Sequence, residues 1–528
     1  MFDPLIILFV LTIVLRDSVQ GLPAGPQLPG VWLGVFAIGG VLAIVALAYT
    51  LMAASLKRFD RTGSAYAGRR VFRIASLSKL ALSLHWATCM LWLDWLGVVR
   101  SGVGGNLILI DEALAVLPFL LGLFLLYGVP YGIQQRFREA SLTRWLDMGE
   151  PVPAAESFGS YLWGAIRHRA GIILFPVVVL TTSAELIDFL FRRIRQQSPD
   201  FAASEWSDFV QPLLQFAIVL VVLCVMPLAL RFIWKTSSLQ SCQTRTRLET
   251  MCREQGVRIR DILVWHPGSG MLNGALIGVI PRVRYILLTD ALIERLPAVQ
   301  LEAVMAHEIA HARRHHLPWM LGSVVALVTV CTAAIWLLAR PFLLRVTDYN
   351  DRVFWSDVVS GASLIVALVV AFLAFGYISR RFERQADSFA AQHLSGVRFR
   401  KGTEEPTDRC RIITAPAVVA MQRALGAVAA HAGMPPERFS YRHGSIASRQ
   451  RSLARLVCKP ALNLPIDRTI RNIKLGTLVM LLIAAVLTVI QVDAERRDHQ
   501  AAQRQALEEW VEQSQIRRWL QPLSERLP

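Results

Sequence analysis

Apolar residues in this chain are gathered into long unbroken blocks, and that arrangement removes most of the folds otherwise open to 528 residues. Runs at about 31–56, 78–99, 107–128, 170–191, 209–234, 319–343, 354–378 and 475–492 reach or approach the roughly 20 residues that cross a bilayer as a helix. A mean hydropathy of +0.43 with only 18% charged residues agrees, and does not suit a string of soluble domains. A shorter run, Pro4 to Leu15, has the length of a tilted span, an interfacial segment or a signal-peptide core. Its start, Met1-Phe-Asp-Pro, lacks the basic region of a cleaved signal, so it is counted as a ninth span.

A formal charge of +17 would suit a nucleic-acid partner, but the cations lie where membrane topology places them. Lys57, Arg58, Arg61, Arg69, Arg70 and Arg73 follow the second run, and Arg136, Arg138, Arg144, Arg167 and Arg169 follow the fourth. Both loops are expected in the cytoplasm, and no nucleic-acid partner is expected. The same parity sends residues 235–318 and 379–473 to that side and residues 344–353, with the mixed-charge tail after Val492, to the other. Cys89, Cys224 and Cys331 fall in apolar runs and Cys242, Cys252, Cys410 and Cys458 in the cytoplasmic parts, a spacing that suggests neither disulfides nor a cysteine metal site.

The expected fold is mainly α: about eight or nine membrane helices with a cytoplasmic peptidase-like domain that contains a small β-sheet. Its divisions are a membrane region 1–234 of about six spans, a first soluble half 235–318, a transmembrane hairpin 319–378, a second soluble half 379–473, a final span 474–492 and a polar tail 493–528. Ile259 to Trp265, Leu272 to Ile280 and Tyr285 to Leu288 read as strands, with His266-Pro-Gly and Pro281-Arg as turns. Pro297 opens a helix with no breaker over 298–316 until Pro318. The run 354–378 continues as helix through Glu383 to a stop at Gly396, 397–414 reads as loop, and 416–431 as a further helix. The hairpin returns the two soluble halves to one side, where residues distant in sequence can meet.

Within Val304-Met-Ala-His-Glu-Ile-Ala-His-Ala-Arg, His307 and His311 are four apart, so on a helix their imidazoles leave one face and can share a metal. Glu308 is rotated by about 100° and can take a proton from an attacking water without ligating. The expected cofactor is one Zn²⁺ per chain, which polarises a scissile carbonyl while Glu308 passes its proton to the leaving amine. A catalytic zinc needs a third protein ligand, and Glu383 on the tethered second helix fits. Asp387, one turn on, can accept the free ring N–H of a ligating histidine. The competing reading has Glu383 and Asp387 paired with Arg380, Arg381 or Arg384 on a solvated face.

Taken together, Asn273-Gly-Ala, Leu287-Leu-Thr-Asp, His307-Glu-x-x-His311, two membrane helices and Ser379-Arg-Arg-Phe-Glu383-x-x-x-Asp387 resemble the HtpX and CAAX prenyl protease 1 family of membrane zinc peptidases, over about 260–455. The resemblance implies a gluzincin-like site facing the cytoplasm, with Asn273, Gly274 and Ala275 on an edge strand that pairs with an extended substrate. It also implies that His443, in His443-Gly-Ser-Ile-Ala-Ser-Arg449, donates to the developing oxyanion and that Arg449 braces the site. Gly444 stands where that family has proline. The six preceding runs and the one following depart from the family's named members, so the substrate class is left open.

His315 and His316 read as the basic end of a helix at the membrane surface, and His85 as a packed or interfacial histidine. Asp94, Asp111, Glu112, Glu185 and Asp188 lie near span ends or interior, where they line a cavity or reach headgroups. The expected function is an endopeptidase in the bilayer that cleaves membrane or membrane-delivered polypeptides; no obligate partner can be inferred from the chain. Against it stand a membrane signalling or sensor protein whose metal domain is non-catalytic or cleaves a single regulator, which the six leading spans and outward tail suggest, and a transporter, which leaves the His-Glu-x-x-His helix unexplained.

Overall fold

The computed structural model describes residues 9, 12, 29–63, 65–103, 110–147, 156–198, 206–267, 272–397, 412–431 and 435–524. The short run 4–15 therefore lies outside the described residues except for Phe9 and Thr12, as do Cys410 and most of the loop expected over 397–414. Among the described residues, eight helices are long and apolar enough to cross a bilayer, in agreement with the eight long apolar runs. Their outward faces carry large apolar side chains, Leu338 and Val489 among them, which lipid and not water would cover. The protein is an integral membrane protein, mainly helical, with one small mixed sheet. The chain forms two compact units, residues 1–246 with 258–295, and residues 247–257 with 296–528.

In the first unit, α1 (Gly30–Thr62), α2 (Ala65–Ala87) and α3 (Ile110–Tyr127) share a core of Leu82, Trp86, Phe119, Leu123 and Tyr127. Small residues let these helices approach: a Cβ on Gly122 would stand 2.5 Å from Val41, and one on Gly40 would overlap the His85 ring. The apolar run 78–99 does not stay one helix. A π turn at Thr88–Trp92 and the left-handed Asp94 (φ 52°) end it, and a separate helix, Trp95–Val103, follows. Asp111 and Glu112 both pair with Arg100, at 2.7 and 2.6 Å, so both acids are engaged within the protein. Two more spans, α4 (Gly171–Gln197) and α5 (Trp206–Ile233), pack on each other, and Asp188 accepts from Gln211 between them.

The sheet follows directly on α5. Strands β1 (Thr236–Ser238), β2 (Asp261–Trp265), β3 (Gly274–Ile277) and β4 (Tyr285–Thr289) lie in the order β1-β2-β4-β3, with β2 and β4 parallel and the outer pairs antiparallel. Every β4 side chain is buried, and Leu263, Trp265, Tyr285 and Leu287 join Leu228 and Trp234 in one cluster. Strand β1, three polar residues long, had no apolar pattern to announce it.

Helix α6 (Gln243–Glu254), which belongs to the second unit from Arg247 on, runs into a turn at Gly256, and in that unit α7 (Ala298–Arg313) carries His307 and His311. This helix stops earlier than the proline at 318 suggests. His315 adopts φ 54°, and α8 (His316–Leu343) starts there with Pro318 accommodated in its first turn. Asp348 caps α9 (Tyr349–Leu394) through the Asp351 N–H. At 1.5 Å per residue the 46 residues of α9 measure about 70 Å, over twice a bilayer's hydrocarbon core, so one continuous helix takes Glu383 clear of its apolar stretch. Helices α10 (Ala415–His431) and α11 (Ile446–Ala454) pack on it, and α12 (Pro465–Ser524) joins the last apolar run and the polar tail into one helix along α8. A buried clasp ties the start of α7 to the far end of α9: His393 lies 3.1 Å from Glu302 and 2.8 Å from Gln255, and Arg247 also pairs with Glu302.

Candidate metal centre

Helical period does the first part of the assembly. On α7, His307 and His311 point the same way, with their Nε2 atoms 3.3 Å apart. On α9, Glu383 brings Oε2 to 3.5 Å from His307 Nε2 and Oε1 to 3.7 Å from His311 Nε2. One donor atom from each of the three lies within 4.8 Å of the others, and among the described residues no other trio of His, Cys, Asp or Glu does so. These separations fit a metal: donors about 2.0–2.1 Å from a tetrahedral ion lie roughly 3.3–3.4 Å from one another.

The electrostatics also favour a cation. Burial alone would push His307 down, but the carboxylates of Asp387 and Glu383 outweigh it and hold the imidazole up to about 10. Burial, and then the neighbouring His307, push His311 down to about 3. A divalent ion held by these donors would offset the same two carboxylates.

Asp387 Oδ1 stands 3.0 Å from His307 Nδ1, an ion-pair approach without the alignment of a good hydrogen bond. Its main partner is Arg449 on α11, which donates Nε to Oδ2 at 2.8 Å and Nη2 to Oδ1 at 2.6 Å. The same guanidinium reaches Glu383 Oε2 at 3.2 Å, and all three groups are buried. Arg380 is engaged elsewhere, donating to the Tyr441 carbonyl at 2.9 Å, and Arg381 lies over the Tyr377 ring. His443 Nδ1 lies 3.0 Å from Glu383 Oε1, with nearly half of its side chain exposed. Glu308 is half-buried, and its charge is among those that raise Arg449.

The glycine that replaces proline in the His443 segment has a local reason. Gly444 sits at φ 72°, closing a turn in which it and Ser440 exchange backbone hydrogen bonds of 2.8 and 3.2 Å. Proline could neither adopt that angle nor donate its half of the pair. The turn is strapped to α9 by Tyr441, whose ring stacks on Phe372 at 4.2 Å and whose hydroxyl donates to the Phe372 carbonyl. Gly376 makes room for that ring, since a Cβ there would overlap it. Gly376→Val is expected to destabilise the protein by about 1–3 kcal/mol, read as a lower thermal midpoint. An unchanged midpoint would show that the ring is not seated there.

Asn273, Gly274 and Ala275 belong to the other unit, the last two on β3 and Asn273 just before it; β3 is an edge of the sheet, and Asn273 exchanges hydrogen bonds with Thr289. The sequence reading underrated His316. It is buried, stacked on Phe382 at 4.3 Å, with Nδ1 2.9 Å from His311 Nδ1. The available signal was Pro318: a proline that opens a new helix requires the chain to turn just before it, freeing His316 from the face it would otherwise have taken.

Part of the chain is similar to known proteins. Residues 245–400 match Peptidase family M48. Two curated proteins, each a "Protease HtpX homolog" of Bacteroides fragilis, from strains YCH46 and ATCC 25285, are 30% and 29% identical over 158 residues, 28% of this chain. The match spans 46% of those relatives, so about half of their length. The crystal structure of S. mikatae Ste24p aligns with 81% of this chain and 99% of its own, at 14% identity and a TM-score of 0.37. The resemblance read from the motifs is borne out to this extent: residues 245–400 of the chain match Peptidase family M48, and part of the chain is similar to proteases named as HtpX homologues.

Proposed function

We propose that this protein is a zinc-dependent endopeptidase that hydrolyses peptide bonds of membrane or membrane-associated proteins near the cytoplasmic face of the bilayer. The observation that carries the reading is the convergence of His307, His311 and Glu383, from two helices joined by a membrane hairpin, on one point. The protease names of the curated relatives support it, and the basic loops around Arg58 and Arg136 support the cytoplasmic side.

His307, His311 and Glu383 would hold the ion, which supplies Lewis-acid polarisation of the scissile carbonyl and acidifies water. Glu308 accepts a proton from the attacking water and hands it to the departing amine. His443 donates to the oxygen on which negative charge develops. Asp387 orients His307, and Arg449 holds Asp387 and Glu383 in place. Residues 273–275 offer an edge-strand backbone to an extended substrate, which suits unfolded or membrane-delivered segments. The layout of two soluble halves, 235–318 and 379–473, around a hairpin at 319–378 is part of this proposal.

Metal removal tests it. Full-length protein in detergent or nanodiscs is expected to hold about one zinc per chain, to lose peptide hydrolysis on chelation and to regain it with zinc. Because the His307 proton must leave, metal uptake below about pH 10 releases it, and affinity should rise about tenfold per pH unit on either side of neutrality. Hydrolysis that persists in metal-free protein would sink the proposal.

A further inference from the structure

A hydrogen-bonded line runs away from the metal centre through His311. His311 Nδ1 faces His316 Nδ1 at 2.9 Å, His316 Nε2 faces Gln385 Oε1 at 2.8 Å, and Gln385 Nε2 faces Asp467 Oδ1 at 2.6 Å. The four residues come from α7, α8, α9 and α12.

Asp467 gives this line a direction. An ionised carboxylate only accepts, so the Gln385 amide must turn its NH₂ toward Asp467 and its carbonyl toward His316. That carbonyl only accepts, so His316 must carry its proton on Nε2. A neutral His316 then has a bare Nδ1, which can accept only if His311 is protonated on Nδ1. The remaining atom, His311 Nε2, is left with a free lone pair, and it is this atom that lies 3.3 Å from His307 Nε2 and 3.7 Å from Glu383. The surroundings keep the arrangement rigid: His316 and Gln385 are 2% and 4% exposed, and Phe382 stacks on the His316 ring with an interplanar angle of 5°.

We propose that His316 is a positioning residue that fixes His311 in its metal-ligating tautomer, with Asp467, acting through Gln385, setting the polarity of the line. The two histidine ligands are thus oriented by different means, His307 by the carboxylate of Asp387 and His311 by a second imidazole. The usual partner of a ligating histidine is a carboxylate, a backbone carbonyl or water. A neutral imidazole in that place orients His311 without adding a further negative charge beside Glu383 and Asp387. Asp467 lies two links farther out.

This inference rests on the metal-centre reading, so its test measures metal binding rather than turnover. Full-length wild type, His316→Phe, His316→Asn and Gln385→Leu are compared for zinc affinity by chelator competition and for the visible spectrum of the cobalt-substituted form. Phe keeps the ring stack and removes the acceptor; Asn discards the ring but offers Oδ1 near the position of Nδ1. His316→Phe is expected to weaken zinc binding about 10- to 100-fold and to alter the cobalt spectrum. His316→Asn should recover most of the affinity and the wild-type spectrum, and Gln385→Leu should fall between.

Affinity within twofold of wild type in His316→Phe, or equal losses in Phe and Asn that track their thermal midpoints, would overturn the proposal by reducing His316 to a packing residue. Should His316→Phe fail to fold, Gln385→Leu decides: weakened zinc binding at an unchanged midpoint upholds the line, and unchanged binding overturns it. A wild type that binds no metal would instead defeat the metal-centre reading itself.

Discussion

Glu308→Gln is expected to lower kcat/KM for peptide hydrolysis by about 10²–10⁴-fold while leaving close to one zinc per chain. Glutamine keeps the size and shape of the side chain but cannot accept the proton of an attacking water. The three candidate ligands are untouched, since Glu308 lies about 100° around α7 from His307. The negative charge at this position acts on Arg449, so its loss should slightly relax the Arg449, Asp387 and Glu383 network without dismantling it. Turnover of an unfolded or membrane-inserted substrate and metal analysis on the same sample check this. Full activity in the variant would exclude Glu308 as the base, and loss of the metal would show that the carboxylate has another task.

Arg449→Met should cost about 3–5 kcal/mol of stability in metal-free protein. The guanidinium is buried between two carboxylates, at 2.6 and 2.8 Å from Asp387 and 3.2 Å from Glu383. Methionine fills much of the volume but leaves two buried acids with only histidines beside them, His307 and, at Glu383, the half-exposed His443. For a unit of this size the loss should lower the thermal midpoint by roughly 10 °C. Zinc supplies positive charge to Glu383, so the deficit should be smaller in the loaded protein. Arg449→Lys keeps the charge without the two-pronged geometry and should fall between. An Arg449→Met midpoint equal to wild type in the metal-free state would show that the buried triad does not stabilise the fold.

The parts of the candidate site that could be read from the chain are those set by short-range periodicity. A spacing of four on a helix puts His307 and His311 on one face in any helical protein, and the same rule relates Glu383 to Asp387. Span positions were legible because a bilayer demands about 20 apolar residues, a constraint local to each segment. Strands β2, β3 and β4 followed from their apolar runs and turn residues, whereas β1, Thr236–Ser238, exists only because β2 offers it an edge.

What escaped the sequence depended on where the chain turns and on what then faces what. The run 78–99 reads as one span, yet the left-handed Asp94 divides it, with the following Trp95 donating to the Ala115 carbonyl. His316 reads as a basic helix end, yet the turn at His315 buries it against His311 and Phe382. Gly444 reads as a departure from a motif, yet its positive φ closes the turn that carries His443 to Glu383.

The amino-acid order by itself determined that this chain enters a membrane and which histidines share a helical face, because each follows from rules acting over a few residues. Only the tertiary structure decided that Arg449 bridges Asp387 and Glu383, and that His316, Gln385 and Asp467 form a line behind His311. Buried polar groups must find partners wherever packing brings them, and packing joins residues 62 to 82 positions apart with no local pattern to mark the pairs.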